Sequence, residues 1–109
     1  MRELGLTRMV KVEVVTRGVD ADAVRTLLHT SAVRGWTSLS GVSGFGHHGT
    51  HEGRLLFNDR DGLVMVIAVL PYERAHPVVT GLRDILADRP GVMFVSDAWV
   101  SRPDYFATE

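Results

Sequence analysis

The feature that most constrains this 109-residue chain is an order of elements, strand, helix, strand, that occurs twice with a glycine-rich stretch between the two copies. In residues 9–16 the valines at 10, 12 and 14 alternate with Lys11 and Glu13, the two-residue period of a strand with one buried and one polar face. Val24, Leu27, Leu28 and Ala32 then recur at three- and four-residue steps, which predicts an amphipathic helix with Asp20 or Asp22 placed to cap its first turn. Gly35 leads into a second strand over about 36–42. Residues 63–70 form an apolar run without polar alternation, the pattern of a central strand covered on both faces or lying at a subunit contact. Helical spacing resumes with Val78, Leu82, Ile85 and Leu86, and Pro77 fits only in the first turn, where its missing amide hydrogen has no partner to lose. Asp88-Arg89-Pro90-Gly91 stops that helix and turns the chain into a fourth strand over 92–100.

Two β-α-β halves joined by one long loop pack both helices on one face of a four-stranded antiparallel sheet. This is the ferredoxin-like βαββαβ arrangement of the α+β class, with right-handed crossovers. The length accommodates one domain, 1–109, with its core over about 9–102. The helix-free sheet face is expected to carry valine, methionine and tryptophan, an apolar patch that predicts a homo-oligomer. With 45% hydrophobic and 23% charged residues and a formal net charge of −1, the chain lacks the basic excess of a nucleic-acid binder. Its longest apolar run falls short of the roughly 18 to 20 residues of a membrane helix. The first seven residues lack the apolar stretch of a secretory signal, so a cytoplasmic protein is expected. Without cysteine, histidine and carboxylate are the only strong metal ligands.

Residues 41–53 hold five of the eleven glycines. Glycine at this density lets backbone amides approach an anion closely, as in phosphate cradles, although glycines that only relieve strain in a surface loop give the same composition. The stretch Val33-Arg34-Gly35-Trp36-Thr37, followed by Gly44-Phe45-Gly46, resembles the PII signalling family. There a Val-x-Gly-x-Thr segment opens the second strand and Gly-Phe-Gly stands at the base of a long T-loop. The resemblance implies a trimer that binds ADP, AMP or ATP in clefts between neighbouring subunits, without a further cofactor. It places the T-loop at about 46–62. It also sets Gly35, Trp36 and Thr37 near adenine and ribose, and Gly44, Phe45, Gly46 and His47 around the phosphates. Gly91, Val92 and Met93 become the remnant of the B-loop, and Arg102 a cation that meets the phosphates after the last strand. For both tryptophans the plain alternative is core or interface packing.

Departures from the family pattern narrow the reading. The Lys-x-Gly-Asp-Gly-Lys B-loop of nitrogen-regulatory members is shortened to Arg89-Pro90-Gly91-Val92, and its phosphate-binding lysine is missing. Triphosphate thereby loses its main cationic support, so ADP and AMP stand level with ATP. Phe57 offers no hydroxyl for uridylylation. The chain is most similar to the PII-like proteins linked to carboxysomes and bicarbonate uptake, which implies bicarbonate as a second ligand and a bicarbonate transporter or carboxysome-linked protein as partner. A small-anion site beside a phosphate needs loop amides and a cation, and His48, Arg54 and Arg60 are the candidates. The arginines read equally as solvated charges paired with Glu52, Asp59 or Asp61.

His47, His48 and His51 support an alternative in which the loop binds nickel, copper or zinc and the protein responds to metal. A shared metal requires a tight turn at Gly49, because His47 and His48 point to opposite sides of an extended segment. His29 and His76 read as surface residues on or near helices. No serine lies in a nucleophile motif and no histidine set has hydrolase spacing, so the expectation is a regulator and not an enzyme.

Overall fold

The structure, a computed structural model, describes residues 1–43 and 62–106. The elements run β1 (Thr7–Arg17), α1 (Gly18–Thr30), β2 (Gly35–Val42), β3 (Leu63–Leu70), α2 (Ala75–Leu86) and β4 (Gly91–Val100), with short 3-10 turns at Arg2–Leu4, Tyr72–Arg74 and Pro103–Tyr105. The strands form one sheet in the order β2-β3-β1-β4, every neighbouring pair antiparallel. Each helix joins strands that have a third strand between them, which makes the ferredoxin-like arrangement that the repeated pattern predicts. The strand over 9–16 begins two residues earlier than its valine alternation suggests, because Thr7 and Arg8 pair with Val100 and Trp99 of β4.

The alternation in β1 sorts its side chains as expected. Val10, Val12 and Val14 face the helices together with Val64, Val66, Ala68 and Leu70 of the central strand β3. Ala21, Val24 and Leu28 of α1 and Val78 and Leu82 of α2 close the core from above. Each of these buried valines and leucines contributes roughly 1.5–3 kcal/mol relative to exposure. Pro77 lies in the first turn of α2, and the second helix ends at Leu86, before the Asp88-Arg89-Pro90 turn.

Two expectations are corrected. No side chain caps α1: its N-cap residue is Arg17, and Asp20 lies inside the first turn with its carboxylate used elsewhere. The helix-free face carries Leu39, Met65, Ile67, Val69, Val15, Val92 and Phe94, but neither tryptophan. Trp36 pairs with Ala68 and Trp99 pairs with Arg8, two residues from Val10 and so on the same side of the strand, and both positions belong to the helix-bearing face. Two charged residues, Lys11 and Glu13, interrupt the apolar face, with Nζ and Oε1 3.9 Å apart.

Candidate functional site

At one end of the sheet β1 hands over to α1, α2 hands over to β4, and the connection between β2 and β3 leaves and returns. The Gly18 amide donates to the Gly62 carbonyl at 2.7 Å, so the start of α1 is tied to the residue that leads into β3. Asp20, only 7% exposed, lies between two guanidinium groups. Its Oδ2 accepts from Arg17 Nε at 2.9 Å and its Oδ1 lies 3.3 Å from Arg89 Nε. Arg89 also donates from Nη1 to the Ile85 carbonyl at 2.6 Å, which closes the last turn of α2. Gly91 follows with φ of +155°, and a β-carbon there would stand 3.0 Å from the Val15 carbonyl oxygen and from Leu86 Cδ2. The turn is therefore drawn tightly onto β1.

At the other end, Gly35, Trp36 and Thr37 begin β2. Trp36 lines a shallow depression with His29, Ala32, Val33 and Arg34 at the C-terminal end of α1. Ala32 holds φ of 60°, an unusual conformation for a side-chain-bearing residue, which directs the chain from the helix into β2. On the opposite side of β2 the Phe106 ring covers Gly35, so that a β-carbon there would collide with Phe106 Cδ1. Arg102 is exposed, its Nη1 3.4 Å from the Tyr105 hydroxyl and its guanidinium 5.5 Å from the centre of that ring. His29 and His76 are exposed, as expected.

Within one chain these groups do not converge. Gly35, Trp36 and Thr37 belong to one edge strand and Gly91, Val92 and Met93 to the other, with β3 and β1 between them. Three strand spacings amount to about 14 Å. A ligand that touches both sets needs a second copy of the chain to bring one protomer's β2 edge beside its neighbour's β4 edge. Gly44, Phe45, Gly46, His47, His48, His51, Arg54 and Arg60 lie outside the described residues. Among the described residues no group of three histidine or carboxylate side chains is placed to hold a metal ion. No helix among them is long and apolar enough to cross a membrane.

The family model of nitrogen regulatory protein P-II matches residues 9–105. The chain belongs to the P-II family. A structure of CPII, a nitrogen regulatory PII-like protein from Thiomonas intermedia K12, bound to ADP, AMP and bicarbonate, superposes with a TM-score of 0.84. The two are 36% identical, over 94% of this chain and 97% of that one. CPII bound to ADP and bicarbonate gives 0.79 at 35% identity, covering 93% and 96%. The apo form of CPII gives 0.68 at 30% identity, covering 87% and 94%. A comparison with curated proteins gave no match.

At the turn before β4, the segment expected to be the B-loop, the structure adds residues that the motifs did not indicate. Arg17, Asp20 and Arg89 form one network at this turn, although Arg89 lies far from the other two in the chain. One signal was available in the sequence: Arg89 is the only cation of the four-residue turn 87–90.

Proposed function

We propose that this P-II family protein is a regulator that binds an adenine nucleotide, one of ADP, AMP or ATP, together with bicarbonate, in clefts between the subunits of a homotrimer. The 46–62 T-loop changes the surface that the trimer presents to a partner in inorganic-carbon uptake or fixation. The observation that carries this reading is the 36% identity, over nearly the whole of both chains, to a PII-like protein whose structure contains ADP, AMP and bicarbonate. The placement of Gly35–Thr37 and Gly91–Met93 on opposite sheet edges supports a cleft between copies, and the apolar helix-free face supports association. Ordering a loop of this length is costly in entropy, so only a ligand with preferential contacts to the ordered form drives the switch.

The test is calorimetric titration of metal-free protein with ADP, in bicarbonate-free buffer and again with bicarbonate added. Saturable binding that tightens with bicarbonate is expected, because two ligands sharing one ordered loop are thermodynamically coupled. Nucleotide binding that ignores bicarbonate removes the carbon-sensing part of the reading. No nucleotide binding in either buffer removes the whole of it.

A further inference from the structure

We infer that Arg89 is the cation that meets the nucleotide phosphates in this chain, and that Asp20 is the residue that positions it. The inference rests on the nucleotide-binding reading above and goes further, by assigning a role to two residues outside the motifs.

Four observations carry it. The turn before β4 has no lysine, and Arg89 is its one cation, two residues ahead of Gly91 on the sheet edge proposed to face the neighbouring copy. The guanidinium is fixed on one side: Nε lies 3.3 Å from Asp20 Oδ1 and Nη1 donates to the Ile85 carbonyl at 2.6 Å, while Nη2 makes no hydrogen bond among the described residues. An arginine has five N–H donors in a planar fork, so a side chain anchored through Nε and Nη1 still offers the Nη2 donors to a phosphate oxygen without rearrangement. The charge balance points the same way. Asp20 is a single buried carboxylate between two guanidinium groups, and the cluster carries one positive charge in excess. Asp88 Oδ1 lies 3.9 Å from Arg89 Nη1 but is on a side chain that is almost fully exposed, where an ion pair is weak.

Asp20 has a second consequence. Through Arg17 and the Gly18 amide bound to Gly62, it connects the phosphate-facing turn to the residue from which the T-loop returns into β3. A phosphate that draws on Arg89 therefore acts on the same short network that holds the T-loop stem. Fixing the guanidinium beforehand also lowers the ordering cost of binding a phosphate there.

The test is calorimetry of the full-length chain with three probes, ADP, AMP and adenosine, on the unsubstituted protein, Arg89→Ala and Asp20→Asn. Charge-assisted contacts are stronger than neutral ones, so Arg89→Ala is expected to weaken ADP by about tenfold or more while adenosine changes by less than about twofold. Asp20→Asn keeps the shape of the side chain and is expected to reduce the ADP-to-adenosine ratio in the same direction by a smaller factor. That ratio is a readout which general loosening of the fold does not move, since loosening weakens both probes alike. Where Arg89→Ala does not fold, Arg89→Gln carries the same comparison. Normal ADP binding with an unchanged ratio in the Arg89 variants overturns the assignment of Arg89, and an unchanged ratio in Asp20→Asn alone overturns the positioning role. Absence of ADP binding by the unsubstituted chain overturns the nucleotide reading itself, and is thereby told apart from either.

Discussion

Gly91 and Gly41 both hold positive φ angles, but only Gly91 is also hemmed in, by the Val15 carbonyl and the Leu86 side chain. Gly41, at the irregularity between Ser40 and Val42, has nothing within 4 Å of a β-carbon. Gly41→Ala is therefore expected to cost about 1 kcal/mol, the backbone contribution alone. Gly91→Ala should cost more, about 2–3 kcal/mol, and the difference is measurable by urea unfolding of the two variants side by side. Asp20→Ala leaves two guanidinium groups facing each other without their carboxylate. Both arginines reach solvent, so the expected loss is only about 1–2 kcal/mol, below that of a fully buried pair. The ionic role of Asp20 was not legible in the sequence. An aspartate in the first turn of a helix reads as a cap from local spacing, and the arginine it meets lies on the far side of both β2 and β3. Only the packing of α2 against α1 brings them together.

At the scale of elements, sequence and structure agree on which segments are strands and which are helices, because periodicity was the signal there. The valine alternation of β1, the apolar run of β3 and the spacing of Val78, Leu82 and Ile85 each correspond to one strand or helix. Leu82, 1% exposed at the centre of α2, illustrates the energetic side: Leu82→Ala is expected to destabilise by about 2–4 kcal/mol in thermal or urea unfolding. The tryptophans show where periodicity failed. Large aromatics read as candidates for the open sheet face, yet register assigns Trp36 and Trp99 to the helix-bearing face, and register is a property of strand pairs that no single strand reveals. Gly35 was legible as part of a motif but not in its packing, because the ring that covers it, Phe106, comes from beyond β4. A double-mutant cycle tests that contact. Gly35→Ala alone should be destabilising, and much of its cost should disappear on a Phe106→Ala background, since the clash needs both side chains.

For the molecule as a whole, the helix-free face decides behaviour in solution. Phe94 is 53% exposed in the isolated chain, on the same sheet face as Val92, Ile67 and Met65, and an apolar surface of this kind calls for a partner. On the proposed assembly, Phe94→Glu is expected to shift the protein from trimer to monomer in sedimentation velocity while its far-ultraviolet circular dichroism stays unchanged. A monomer with the unsubstituted sequence would remove the cleft. The two edge strands have a further consequence, one that genetics can read. If each cleft takes its β2 half from one protomer and its β4 half from the next, a chain damaged at Trp36 and a chain damaged at Arg89 are defective in different halves. Homogeneous assemblies of either chain then have no intact cleft, whereas mixed assemblies contain some junctions where the two sound halves meet. Co-expression of the two defective chains should restore part of the nucleotide affinity that each lacks alone, a complementation between alleles that no site confined to one polypeptide allows.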